Sequence, residues 1–297
     1  MQQTQTLLDR IVEHYDQLKY ALLEAQTFDP GHFGFPPVYY DIMETDRTRI
    51  EAFRRAFEHY DFRGKTVCEA GVGRLALSRL FLPKVKKAYL IENNPHLFAY
   101  LEKEIAKNGW ASKVELIFGD ARSVELPETI DFAVAEMMSV FCANELQVQV
   151  FQHLRKFLKP EGRLLPEKIV NTVQLVRADF EHGHQHYPIF LTRHLPECLS
   201  LEKRVNTLDL YSVNKTSVSK QMTIKPLLSG TANAVLLRSW VQIAEGCNFT
   251  GTDSLMPPTV CKLRKEARLM VGEPLQLKMR FEYGASLDEA DFEIGLV

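Results

Sequence analysis

Two glutamates, Glu136 and Glu145, stand nine positions apart just after Ile130 to Ala135, a short apolar run that reads as a buried strand. A strand of a parallel sheet delivers whatever leaves its C-terminal end to the crevice where such sheets bind ligands. A loop doubling back there could turn both carboxylates onto one cationic group. A guanidinium, with its planar fork of donors, suits such paired acidic oxygens. The competing reading is plainer: Glu136 ends a strand and Glu145 is a solvated acid opening the next helix. Upstream, Val67 to Gly73 is a strand running into a glycine turn, where Gly71 and Gly73 lack the Cβ atoms that would hold a ligand away from the backbone. Glu69 stands just before that turn. Glu92 closes the next strand, 23 residues after Glu69, where a carboxylate could accept both hydroxyls of a ribose. Asp120 and Ala121 close the one after, placing an acid and a backbone amide where an adenine edge could be read. Each feature alone fits a turn or a solvated strand end, but in succession they line one edge of a sheet with nucleotide-binding groups.

The elements that must position these residues alternate. Apolar runs at 65–70, 87–92, 113–118 and 130–135 are separated by helical patterns at 75–82, 95–107 and 144–158, which predicts an α/β fold with a parallel sheet covered on both faces. Past Pro166 the helical period fades, and β-rich stretches at 169–176, 207–213, 234–243 and 275–283 predict a mostly antiparallel second domain. Thr6 to Leu23 carries apolar residues at helical spacing with one buried face. With 297 residues the chain suits two packed domains. Lys plus Arg is 36 against 38 for Asp plus Glu, a net charge of -2, so nothing in the balance points to nucleic acid or a membrane surface as partner. The five cysteines form no CxxC pair, which argues against a zinc knuckle or a disulfide framework and for reduced cytosolic thiols. No apolar run approaches the ~20 residues of a membrane helix, and the first residues lack the blocks of a signal peptide, so the expectation is a cytoplasmic protein. His182, His184 and His186 would share one face of a strand, a pattern open to metal; the chemistry inferred below has no use for one, and no metal is expected.

Two cofactors compete for the glycine turn. Gly71-x-Gly73-x-x-Ala76 satisfies the looser dinucleotide fingerprint of NAD enzymes, whereas an acid at Glu69 before Gly-x-Gly favours S-adenosylmethionine. Further motifs decide between them: Met43-x-x-Asp46-x-x-Arg49 upstream, Val124 to Pro127 after the third strand, the Glu136/Glu145 spacing, and Leu158 to Pro166 leading into the second domain. In this combination the chain resembles the protein arginine methyltransferases, a family of S-adenosylmethionine-dependent enzymes, well over 39–175 and loosely beyond. The resemblance implies a Rossmann-like cofactor domain over 39–166 and an antiparallel β-barrel-like domain over 167–297, behind an N-terminal helical segment at 1–38. It implies that Arg49 pairs with the cofactor's methionine carboxylate, that Gly71 and Gly73 face its backbone with Glu69 nearby, and that Glu92 takes its ribose and Asp120 with Ala121 its adenine. Glu136 and Glu145 become the catalytic pair that holds the attacking nitrogen, while Met43, Met138, Tyr39 and Tyr40 line the acceptor pocket.

The departures from that family fall mainly on the acceptor side. Pro30 and Gly34 stand where its tyrosine-rich segment would be, and Val260 and Cys261 where its barrel histidine and tryptophan would be. Leu75 replaces a third glycine, and Arg122 falls at the family's adenine-contacting acid. The chain between Pro166 and Asp209 is short for a full dimerisation arm, which leaves the oligomeric state open. The expected function is an N-methyltransferase acting on a guanidine or another nitrogen of a protein or small molecule. A cofactor-binding regulatory protein without methyl transfer is the alternative, and an NAD-dependent oxidoreductase the third.

Overall fold

The computed structural model describes residues 40, 43–44, 46–180, 184–189, 194–251 and 256–296. The 1–38 segment with its amphipathic stretch, Tyr39 and His182 lie outside the described residues. Helix α1 (Arg47–His59) is capped by Asp46, whose side chain accepts from the Arg49 N–H at 3.1 Å. Apolar residues at three- and four-residue spacing put Ala52, Phe53, Ala56 and Phe57 on its buried face. Phe57 meets Phe62 and Phe81 edge-on, while the Phe53 ring lies 6.4 Å from that of Phe249, far along the chain. One helix therefore packs against both halves of the molecule.

The first half is built on one parallel sheet of β1 (Thr66–Ala70), β2 (Lys87–Glu92), β3 (Val114–Phe118), β4 (Ile130–Ala135) and β5 (Leu158–Leu165). Its order is β3-β2-β1-β4-β5. Central β1 is buried at every position, as a strand covered on both faces must be. Helices α2 (Ser78–Phe81), α3 (Pro95–Lys107) and α4 (Gln147–Leu154) accompany it. Asn94 caps α3 by accepting from the His96 N–H at 3.0 Å, and Pro95, which has no N–H to leave unpaired, follows at the first helical position. The strand order reverses between β1 and β4, so the crevice at their C-terminal ends is the ligand position for a sheet of this type. The helical pattern at 75–82 is realised only as α2, because Leu75 is held in a left-handed turn at φ +69° with its side chain fully buried. The passage from Leu158 to Leu165 is itself the fifth strand.

After Pro166 the sheets become antiparallel. The larger one comprises β6 (Lys168–Arg177), β7 (His186–Pro188), β8 (Glu197–Cys198), β9 (Lys203–Asp209), β11 (Gly230–Ala244), β12 (Cys247–Thr250) and β13 (Thr259–Leu269). It runs β7-β13-β11-β6-β8, with β12 on β11 and β9 on β6. A second sheet, β10-β14-β15, is made by β10 (Ser217–Ile224), β14 (Leu275–Glu282) and β15 (Asp291–Leu296). β15 packs on β13, where Arg264 Nη2 pairs with Asp291 at 2.6 Å, and the two sheets roll into a barrel-like domain. The strand expected over 207–213 is displaced: β9 ends at Asp209, whose side chain accepts from Tyr211 N at 3.1 Å and whose carbonyl accepts from Ser212 N at 3.0 Å, closing a turn.

Candidate active site

The cleft at the C-terminal ends of β1, β2 and β4 has a volume of about 540 Å³ and is bounded on one side by the barrel. Its floor is the glycine turn after β1. Gly71 takes φ +70°, and a Cβ there would lie 3.0 Å from the Met137 side chain; Gly73 takes φ +51°, and a Cβ there would lie 3.2 Å from the Tyr40 ring. Both positions combine a backbone that favours glycine with a close neighbour. Glu92, at the end of β2, ties this turn to its own strand: Oε2 accepts from Gly73 N at 2.9 Å, while Oε1 accepts from Asn93 N at 2.9 Å and Asn94 N at 2.8 Å. Burial raises the Glu92 carboxyl above its ordinary range, and the three backbone donors oppose that rise. Asn94 Nδ2 also donates to Tyr40 Oη at 3.2 Å, which holds the Tyr40 ring over Gly73.

Glu69 is buried beneath the turn and accepts a hydrogen bond from Ser78 Oγ. Burial pushes it up to about 8, with the Ser78 hydroxyl pulling against the rise and Glu92 and Glu136 adding to it. At the far end of the cleft both oxygens of Asp120 are engaged by Arg122, at 2.8 Å from its N–H and 2.6 Å from Nη2. That fork, chiefly, holds the Asp120 carboxyl below its usual range. Asp120 lines the cleft, whereas the Ala121 side chain turns into the core.

The two glutamates of the acid loop meet on the opposite wall. Glu136 directly follows β4 and accepts from Arg49 Nη1, whose Nη2 donates to the Met43 carbonyl at 2.6 Å. Burial pushes Glu136 up to about 7 against the pull of Arg49, with Asp46 adding slightly. Glu145 rises to about 8, first by burial and then by the Glu136 charge, again opposed by Arg49. Between them the chain turns through Phe141 at φ +57°, Cys142 at φ +49° and Asn144 at φ +59°, left-handed conformations that non-glycine residues hold only when their surroundings fix them. Those surroundings belong to the barrel: Phe141 N donates to Ser239 Oγ at 2.8 Å, Gly284 N to the Cys142 carbonyl at 2.9 Å, and Asn144 N to the Ala285 carbonyl at 3.0 Å.

The cleft thus brings together Tyr40, Met43, Arg49, Glu69, Gly71, Gly73, Glu92, Asp120, Glu136, Met138 and Glu145, and leaves Ala121 out. Sequence reasoning missed Arg74, Met137, Phe249, Met256 and Gly284, which also line it. Gly284, at φ +92° after β14, carried a turn signal; Phe249 and Met256 carried none, since nothing local distinguishes them from barrel core. Val260 and Cys261 do not reach the cleft: both are buried within β13, paired with Leu236 and Val235 of β11. His186 Nε2 lies 3.3 Å from Asp288, and among the described residues no group of side chains is arranged to hold a metal.

The family described as PRMT5 arginine-N-methyltransferase matches this chain over residues 19–165. An uncharacterized protein, MJ1452, of Methanocaldococcus jannaschii is 27% identical over 262 residues, covering 88% of this chain and 97% of its own. The probable histone-arginine methyltransferase CARMER of Drosophila melanogaster is 27% identical over 175 residues, 56% of this chain but 33% of that protein. The chain therefore spans about a third of the length of the CARMER relatives. Among solved structures, the Trypanosoma brucei PRMT1 enzyme-prozyme complex with AdoHcy and Arabidopsis thaliana protein arginine methyltransferase 10 each superpose with a TM-score of 0.70. Each is 16% identical, covering 82% of this chain and 87% of the other. The fold and these likenesses together support a class: an S-adenosylmethionine-dependent methyltransferase with a Rossmann-like domain and a barrel-like second domain, acting on a nitrogen-containing acceptor. Within that class, the chain is similar to PRMT-like arginine methyltransferases over residues 19–165, and the cofactor this likeness supports is S-adenosylmethionine rather than a nicotinamide nucleotide.

Proposed function

We propose that the acceptor is a guanidine-type nitrogen of a protein or small molecule, gripped between Glu136 and Glu145, and that the glycine turn with Glu92 carries the methyl donor. The observation behind this reading is the convergence of two acids, both pushed well above the ordinary carboxylate range, on one wall of a cleft floored by Gly71 and Gly73. The two glycines line the cleft with backbone that carries no Cβ, and Glu92, whose Oε2 accepts one hydrogen bond from Gly73 N, stands at the strand end where a ribose would sit. S-adenosylmethionine supplies a methyl group on a positively charged sulfur, ready for displacement by a nitrogen lone pair. Arg49, now on Glu136, is placed to exchange that carboxylate for the methionine carboxylate of the donor.

The chain's own groups then orient and neutralise. Two carboxylates around one guanidinium fix its plane and draw positive charge onto the nitrogens they touch, leaving the attacking nitrogen richer in electrons. Each transfer releases one proton. With Val260 and Cys261 buried in β13, the proton acceptors at hand are the acids themselves, and an acid raised towards neutral pH is a better base than an ordinary carboxylate. Met43, Met138, Phe249 and Met256 make the surrounding walls apolar, which strengthens those charge interactions. The reaction belongs in a reducing, cytoplasmic setting, in keeping with five free cysteines, and no helix among the described residues is long and apolar enough to cross a membrane.

The test is incubation with methyl-labelled S-adenosylmethionine and, separately, arginine-rich peptides, free arginine and cell lysate. Label on a guanidine nitrogen is the expected result. Label only on amines would move the acceptor class, and no label in any arm would remove the reading.

A further inference from the structure

Three polar side chains form a row across the barrel, perpendicular to its strands, and the row ends on the acid loop. Asn206 of β9 stands opposite Asn171 of β6, which stands opposite Ser239 of β11. Asn171 and Ser239 are almost wholly buried. Ser239 Oγ donates to Asn171 Oδ1 at 2.7 Å, Asn171 Nδ2 donates to Asn206 Oδ1 at 3.1 Å, and Asn206 Nδ2 donates to Tyr283 Oη at 2.6 Å. The free lone pair of Ser239 Oγ takes the Phe141 N–H at 2.8 Å. An amide and a hydroxyl at these inward positions cost desolvation that valines, such as neighbouring Val173 and Val241, would not. Every link is nonetheless satisfied, and the last holds a phenylalanine in a left-handed conformation halfway between the two acids.

We propose that Ser239 and Asn171 are positioning residues for methyl transfer. Through the Phe141 N–H they set the turn of the acid loop and, with it, the separation of the Glu136 and Glu145 carboxylates around the acceptor. The row is directional. Ser239 has one proton to give, and giving it to Asn171 leaves its lone pair turned to the loop. The Phe141 ring, 5.0 Å from that of Phe281, seats the same residue from its other side. The inference rests on the acceptor reading of the two acids.

Ser239→Ala removes the acceptor for Phe141, Ser239→Thr keeps a hydroxyl there, and Asn171→Leu replaces the centre of the row with an apolar group of the same branched shape. In the full-length protein, Ser239→Ala is expected to lower kcat about 10- to 100-fold, as loss of alignment does. Acceptor KM should rise while cofactor affinity by calorimetry stays unchanged, and Ser239→Thr should recover most of the rate. Amide exchange of the 137–145 segment should quicken in Ser239→Ala and Asn171→Leu while β1 to β4 keep their protection. A row needed only to hold the barrel would lower the melting temperature without separating acceptor from cofactor effects. That result, or unchanged exchange in the loop, overturns the proposal. If the wild type transfers methyl to no acceptor, the acceptor reading fails by itself, and the exchange measurement still decides whether the row holds the loop.

Discussion

The two walls of the cleft are made in different ways. The wall proposed for the cofactor is local: Glu69, Gly71 and Gly73 leave one strand, Glu92 closes its neighbour, and the Gly73 to Glu92 hydrogen bond spans 19 residues. The wall proposed for the acceptor is assembled at a distance, with Glu136 and Glu145 hung on a loop whose backbone is held by Ser239, 98 residues away from Phe141, and by the turn at Gly284. A site of the first kind needs only a parallel sheet in register. A site of the second kind exists only when two domains have folded against each other, so the two walls should respond differently to mutation, pH and denaturant.

Four measurements would break or sharpen that contrast. The largest effect is expected from Glu136→Gln and Glu145→Gln, each of which should lower turnover by about 10²–10³-fold, the size of losing one preorganised charge at a reacting centre. Calorimetric cofactor affinity should hardly move; a comparable loss there would mean that the walls are not separable. Next, Glu92→Ala should weaken cofactor binding about 10- to 100-fold, since it removes a charged hydrogen-bonding partner, and leave acceptor KM unchanged at saturating cofactor. A shift in acceptor KM alone would reverse the assignment of that wall.

A smaller effect comes from pH. Glu136 and Glu145 rise in the folded protein to about 7 and about 8, so between roughly 4.5 and 8 the folded state binds more protons than the unfolded one, and the empty protein should lose stability as pH rises through that window. A cationic acceptor reverses the preference, because it favours both carboxylates charged. Its affinity should climb between pH 5.5 and 8, by at most about tenfold per unit for each proton released. Flat acceptor binding over that range would exclude the pair as its ligand. Gly71→Ala should show the smallest change, about 1–2 kcal/mol of stability by urea unfolding, from strain at φ +70° and a contact that the flexible Met137 can partly relieve.

How far the sequence discloses each wall follows from the same contrast. Fully buried parallel strands read as continuous apolar runs, and their ends could be placed to within a residue at β1, β2 and β4, which carries Glu69, Gly71, Gly73, Glu92 and Glu136 with them. The barrel is harder, because its strands are half exposed. β13 is interrupted by charges from Lys262 to Arg268, and the turn that Asp209 sets after β9 has the composition of a strand. Phe249 and Met256 have residue types typical of any barrel interior, and only tertiary contact gives them a place at the cleft. Leu75 shows the reverse failure: its left-handed φ is maintained by burial of the side chain, which no turn preference for leucine would foretell.

The backbone hydrogen bonds from Gly284 to Cys142 and from Asn144 to Ala285 bear on how such chains can be recombined. The acids are encoded in one half of the sequence while their conformation is stored in the other. A hybrid joined at Pro166, with the barrel of a relative, would inherit both glutamates intact and still lack the strands that give them their posture. Recombination between relatives is therefore expected to preserve donor binding across many partners and transfer activity in few, unless the loop travels with its barrel.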